Sequence, residues 1–365
     1  MLFSKKKEIV PSRTRFREIC ERNPDVGNLT LSIKITRILI RYFTRIFGFS
    51  ISAKCLKYSL KVVTKISLSP SGHYIAYLIA VNKLNIEYLL SVADNNFTAA
   101  IDKKNLWAEY TLRHSNDLKS KWAAENYLSL LQKNNFYVKK LPGSDNVFLP
   151  QIIKKKSEKK FYIYGPNSLH APSDKYTDHT IVFLKPMEYE ISKFRGGILF
   201  TNGIYYRSVL STNKDIRNHL TSKYTEIIVS CKTSAVETPF KRARFPISDH
   251  IAAPMALGRV LYNLIHAHGV FSCVIEGFDF YLSKEMYSSS YPSLARQADN
   301  SINEQLICSG LTAHDALYNF LYVRELVRMI NLKDSHSFKK LIKMDGRTYL
   351  NELVNVRNFK TLLQQ

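Results

Sequence analysis

Cysteine is scarce and scattered. The five residues Cys20, Cys55, Cys231, Cys273 and Cys308 form no C-x-x-C pair in a chain of 365 residues. That spacing fits neither a disulfide framework nor a thiolate zinc site, and it suits a reducing compartment. No run of about 20 apolar residues occurs, so no membrane-spanning helix is expected. The start lacks a secretory pattern: Lys5, Lys6 and Lys7 lead into Glu8 and Pro11 instead of an apolar core. Three signatures are also missing, G-x-x-x-x-G-K-[ST], G-x-G-x-x-G and G-x-S-x-G. P-loop, dinucleotide and α/β-hydrolase chemistry therefore have no motif behind them. D-x-D is absent as well. A metal-dependent sugar transferase would use that pair to hold Mg²⁺ or Mn²⁺ against a diphosphate, so no metal and no resident cofactor is expected.

Acids are in short supply too, with 30 Asp and Glu against 53 Lys and Arg, a formal charge of +23. The surplus suits a polyanionic partner (an anionic membrane face, a phosphorylated substrate or nucleic acid), and it serves solubility equally. It is concentrated: residues 1–66 hold fifteen Lys and Arg against four acids, and residues 154–160 hold five lysines. Residues 1–30 form an irregular basic tail broken by Pro11, Pro24 and Gly27. Residues 31–140 have helical spacing. Ile35, Ile38, Leu39, Tyr42, Phe43 and Ile46 recur three and four apart, with Lys34, Arg37, Arg41 and Arg45 between them. Such a helix either lies on an anionic membrane or packs into a core with its arginines solvated. Further on, Tyr74 and Tyr77 are answered by Trp107 and Tyr110, 33 residues later in both cases. A helix–turn–helix unit of that length resembles the tetratricopeptide repeat, whose usual job is partner binding. Residues 141–160, with Pro142, Gly143 and the lysines, read as a basic linker.

From 161 to 365 the period changes. Short apolar runs at Lys160–Tyr164, Thr180–Leu184, Gly197–Thr201, Glu226–Ser230 and Val270–Ile275 read as strands. Helical patterns fall at Met255–Ala267 and Ala313–Ile330, then at 335–343 and 347–363. The expected fold class is therefore α/β, a mostly parallel sheet with flanking helices, preceded by the all-α, repeat-like region. In a parallel sheet the polar groups that follow the strands gather at one edge: Gly165, Pro166, Asn167 and Ser168, then Lys185, then Asn202, then Gly277, Asp279 and Tyr281. Amide, hydroxyl, lysine and phenol groups around a glycine turn can cradle phosphate and read a ribose or base. Two histidines compete for a catalytic role. His250 is a loop residue or a base. His314 opens the helical pattern that Thr312 can cap, where it is free to face the crevice.

Together these residues resemble the metal-independent sialyltransferases of bacteria and the related Kdo transferases, which have a modified GT-A-like fold, a single Rossmann-type domain. Tyr164-Gly165-Pro166-Asn167-Ser168 is similar to the family's Gly-x-Gly-Pro-Ser turn, with Asn167 inserted. Lys185 stands where the family has a nucleotide-touching asparagine, and Asn202 matches a second one. Gly258 and Gly277-Phe278-Asp279-Phe280-Tyr281 keep the spacing of the family's Ser-Gly and Gly-Ile-Asp-Phe-Tyr motifs, with Leu257 in place of the serine. The resemblance spans somewhat under half the chain. It implies an inverting transfer of an acidic sugar from a CMP-sugar to a hydroxyl on lipopolysaccharide or capsule. It also implies His314 as the base and Tyr281, with Tyr287 or Tyr291, on the departing phosphate beside Lys185. Gly165, Pro166, Asn167, Ser168, Asn202, Gly258 and Gly277 would line the nucleotide, and Asp279 would hold its own loop. The expected partners are then the nucleotide-sugar donor, the glycan acceptor and an anionic membrane surface, with the chain peripheral on the cytoplasmic face of the inner membrane. The alternative is a non-catalytic binding protein, recruiting a partner or nucleic acid through the helical repeat and a basic surface.

Overall fold

The computed structural model describes residues 87–114, 118–131, 156–168, 170–184, 191–202, 210–230, 239–243, 255–283 and 315–357, with a few single positions besides. Helical residues 87–93 lead into α1 (Phe97–His114) and α2 (Leu118–Leu131). The strands are β1 (Lys156–Tyr164), β2 (Thr180–Phe183), β3 (Gly196–Asn202), β4 (Glu226–Ser230), β5 (Lys241–Arg242), β6 (Val270–Glu276) and β7 (Asn331–Leu332). Between and after them come α3 (Lys214–Lys223), α4 (Ala256–His268), α5 (Ala316–Val327), α6 (His336–Ile342) and α7 (Gly346–Val356).

All the described strands form one sheet in the order β5-β4-β3-β2-β1-β6-β7, and every pair is parallel. This is a Rossmann-like α/β arrangement. The chain winds outward from β1 through β2 to β5, then returns to add β6 and β7 on the other side of β1. The sense of winding therefore reverses between β1 and β6, and open α/β sheets bind ligands in the crevice beyond the strand ends at such a switch point.

Alternation along the strands builds two layers. Phe161, Ile163, Val182, Ile198, Phe200, Ile228, Cys273 and Ile275 pack with α4 and α5 on one face. Tyr162, Tyr164, Ile181, Phe183, Leu199, Ile227, Val229 and Val274 pack on the other with Tyr176, Ile191, Phe194 and Leu220. With both faces covered, the strands are nearly continuous apolar runs. Alanine, tryptophan and tyrosine side chains of residues 87–131, among them Tyr88, Trp107, Trp122 and Tyr127, belong to the same core as α4 and α5. The described part of the expected helical region thus has no core of its own, and residues 31–86 lie outside the described residues. Among the described residues no helix is long and apolar enough to cross a membrane.

Three local expectations change. The first strand begins at Lys156, inside the stretch expected to be a linker. Its leading residues pair only with β6, and Glu158, Lys159 and Lys160 are exposed, so no apolar alternation marks them. The last long helix begins at Ala316, later than expected, and is capped by Asp315, whose carboxylate accepts from the Tyr318 N–H; Thr312 lies outside the described residues. The short α3 and the two-residue edge strands β5 and β7 were not expected from the pattern. α3 buries only Leu220, yet it carries a legible signal: Asn213 accepts from the Ile216 N–H, Asp215 lies in the first turn and Lys223 in the last.

Candidate functional site

At the carboxyl ends of β1 and β6 two turns meet, and each is shaped by the other. The Gly165 N–H donates to the Glu276 carbonyl at 2.8 Å, and the Asn167 N–H donates to the Gly277 carbonyl at 3.0 Å. Gly277 has φ +71°, a left-handed conformation natural to glycine. A Cβ on Gly277 would stand 2.2 Å from Ser168 Oγ, and one on Gly165 would stand 2.4 Å from the Gly277 carbonyl oxygen. Backbone lies directly on backbone here, so both positions require glycine.

Asp279 is the centre of the second turn. Its Oδ1 accepts from the Tyr281 N–H at 3.0 Å, and its Oδ2 accepts from the Ser283 N–H at 3.0 Å and from Asn167 Nδ2 at 2.7 Å. A carboxylate so occupied holds the loop and ties it to the turn after β1. The next two residues are held in unusual backbone, Phe280 at φ 51° and Tyr281 at φ 68°. Each such residue costs about 1–3 kcal/mol, and such outliers gather at functional sites.

The strain persists because α7 clamps the loop. Tyr349 donates its hydroxyl to the Phe280 carbonyl at 2.8 Å. Arg357, 3% exposed, donates to the Tyr281 carbonyl from Nε at 3.1 Å and from Nη2 at 2.9 Å, and Nη2 also reaches the Ser283 carbonyl. Phe280 is buried against Phe320, Phe338 and Tyr349. Burial holds the Tyr349 phenol well above its ordinary pKa, and the nearby Tyr281, Asp279 and Asp315 push the same way. The loop after β6 and the start of α5 therefore lie within electrostatic reach of one ring.

That start of α5 is anchored from the other side. The Asp315 carboxylate is paired with Lys104 Nζ at 2.8 Å, both side chains 1% exposed, and accepts from the Tyr127 hydroxyl at 2.7 Å. Lys104 Nζ stands over the rings of Tyr88 (3.9 Å) and Trp107 (4.5 Å). At the switch point itself Tyr162 donates its hydroxyl to Glu276 Oε2. Burial and that carboxylate hold the Tyr162 phenol protonated far above its ordinary pKa. Further along the edge, Arg259 Nη1 in the first turn of α4 donates to Ser230 Oγ at the end of β4, at 2.9 Å.

Of the residues singled out in the sequence, Gly165, Pro166, Asn167, Ser168, Gly277, Asp279 and Tyr281 come together at this one place. The ring of Tyr281 packs partly buried against the core. Asn202 ends β3 and its backbone is paired with Ser230 at the same edge, while its side chain lies outside what is described. Gly258 serves helix packing: a Cβ there would meet the Tyr322 ring at 3.3 Å. Lys185, His250, Tyr287, Tyr291, His314 and the basic residues 1–66 lie outside the described residues. Among the described residues no cluster of three or more His, Cys, Asp or Glu is placed to hold a metal. Sequence reasoning missed Tyr349 and Arg357, which bond to the Phe280 and Tyr281 carbonyls from 69 and 76 residues further along the chain, and Lys104, which pairs with Asp315 at the start of α5.

The fold and the site define a class: a parallel α/β protein with two glycine turns bonded to one another at its topological switch point. Compared with protein-family models, curated proteins and solved structures, the chain matches none of them.

Proposed function

We propose that the chain is an inverting, metal-independent glycosyltransferase of GT-A-like type that moves an acidic sugar, sialic acid or Kdo-like, from a CMP-sugar to a glycan hydroxyl. The observation that carries this reading is the union of its two motif-bearing turns. Gly165–Ser168 and Gly277–Tyr281, which resemble the family's nucleotide and phosphate elements, are bonded to one another at the switch point. In the reaction the acceptor hydroxyl gives its proton to His314 as its oxygen attacks the anomeric carbon. The bond from that carbon to the phosphate oxygen breaks, and CMP departs with the electron pair. Tyr281, with Tyr287 or Tyr291, donates hydrogen bonds to the departing phosphate, and Lys185 adds positive charge. This supplies by preorganised dipoles what a divalent cation supplies elsewhere. Residues 1–66, with fifteen basic side chains against four acidic, hold the enzyme at an anionic inner leaflet where a lipid-linked lipopolysaccharide or capsule acceptor is built.

The test is CMP release by His314→Ala. General-base catalysis contributes roughly 10²–10⁴-fold, so a rate within a few-fold of wild type removes His314 from the role. Activity abolished by a chelator counts against the metal-free route. A thermal-shift series with CMP, UMP and GMP decides the nucleotide, because a ligand that binds the native state raises its stability. No response to any of them points instead to a non-catalytic binding protein.

A further inference from the structure

Phe280 and Tyr281 are consecutive aromatic residues in left-handed backbone, at φ 51° and 68°, a conformation that glycine or asparagine takes at less cost. The ring of Phe280 accounts for its own presence, being buried against Phe320, Phe338 and Tyr349. Tyr281 is only partly buried, so packing is a weaker reason for a tyrosine there. What distinguishes it is how completely its backbone is held. In the peptide before its Cα, the Phe280 carbonyl accepts from the Tyr349 hydroxyl at 2.8 Å, and the Tyr281 N–H donates to Asp279 Oδ1 at 3.0 Å. In the peptide after it, the Tyr281 carbonyl accepts from Arg357 Nε at 3.1 Å and from Nη2 at 2.9 Å. The Leu282 N–H of that same peptide donates to the Asp279 carbonyl at 3.1 Å. Two pinned peptide planes fix both dihedral angles between them, and those angles set the direction of the Cα–Cβ bond. The Tyr281 side chain is therefore aimed by its backbone before any rotamer is chosen.

Arg357 supplies the strongest of these holds. Its guanidinium is 3% exposed and donates to two carbonyls of the one loop, those of Tyr281 and Ser283. Hydrogen bonds from a charged donor are roughly twice as strong as neutral ones, enough to keep a backbone from relaxing. Relaxation of Tyr281 to negative φ would turn one of its flanking carbonyls away from the donors that hold it. We infer that Arg357 is a positioning residue for the reaction: it keeps Tyr281 in the left-handed conformation that carries the phenol to the departing phosphate. The inference rests on the transferase reading above, which sets the Tyr281 hydroxyl on that phosphate. Arg357 touches neither donor nor acceptor and acts only through Tyr281.

The experiment measures CMP release from CMP-sialic acid and CMP-Kdo, to water or to added lipopolysaccharide, by the full chain. The proteins compared are wild type, Arg357→Gln, Tyr281→Phe and the double variant. Arg357→Gln should lower kcat about tenfold or more while KM for the donor stays within about threefold, because the phosphate contact strengthens as the bond breaks. In the Tyr281→Phe background the same change should cost less than about twofold further, since no hydroxyl is left to aim. Arg357→Lys, which keeps a cationic donor, should recover part of the rate. If Arg357→Gln does not fold, Tyr349→Phe carries the same test, since it releases the Phe280 carbonyl on the other side of Tyr281. Equal factors lost in both backgrounds, or a loss of rate that only follows the loss of folded protein by circular dichroism, overturns the positioning role and leaves the transferase reading standing. No CMP release by wild type overturns the transferase reading and this inference with it.

Discussion

Single side chains set the limits of this site. At Gly277 the backbone is left-handed and a methyl group would fall 2.2 Å from Ser168 Oγ. Gly277→Ala should therefore cost about 2 kcal/mol or more, from the left-handed conformation and the collision together. Urea denaturation measures this, and an unchanged midpoint would contradict the close approach of the turns. A second residue sets a pH dependence. Burial holds the His268 imidazole below its ordinary pKa, and the charges of Lys159 and Lys241 push it the same way. The unfolded chain, with an imidazole pKa of about 6.5, then binds a proton that the folded one refuses. Stability from this source is complete above about pH 6.5 and is lost as pH falls toward the folded value. His268→Gln should shrink the fall in melting temperature between about pH 7.5 and pH 5.5. A fall of the same size in the variant would remove His268 from the account.

At the scale of elements, the decisive contact joins α1 to the first turn of α5. Lys104 and Asp315 are paired at 2.8 Å with both side chains 1% exposed. Removing one partner of a buried pair leaves an uncompensated charge and typically costs about 3–5 kcal/mol. Lys104→Ala should approach that loss, whereas Lys104→Met combined with Asp315→Asn should recover part of it. Equal stability of the single and double variants, read by denaturant titration, would show that the charge pairing is not what holds α1 to α5. The loop after β6 follows similar logic. Its strain at Phe280 and Tyr281 is held by Tyr349 and Arg357 at either end of the α7 segment, so the C-terminal helices belong to the site although none of their residues carries a recognisable motif.

Over the whole molecule, residues 87–131, α4 and α5 share one core. The described helices before the sheet should therefore unfold with it. Differential scanning calorimetry should show one transition for these parts, with calorimetric and van't Hoff enthalpies in agreement. A separate early transition, assigned to residues 87–131 by hydrogen exchange, would contradict a shared core.

Much of this architecture is determined by sequence alone, because strands buried on both faces must be apolar throughout. Thr180–Phe183, Glu226–Ser230 and Val270–Glu276 announce themselves that way, and Gly165 and Gly277 mark where β1 and β6 end. The candidate turns were legible for the same local reason. What only the tertiary structure decided is which strands are neighbours, and so where the winding reverses. β1 lies between β2 and β6, a fact no stretch of chain records by itself. The bond from Asn167 to Asp279 spans 112 residues, and that from Tyr127 to Asp315 spans 188. Contacts of that range leave no periodicity behind, since they depend on backbone geometry fixed elsewhere. The two-residue edge strands were hidden because two residues have no pattern, and the start of β1 because exposed lysines read as a linker until β6 is placed beside them.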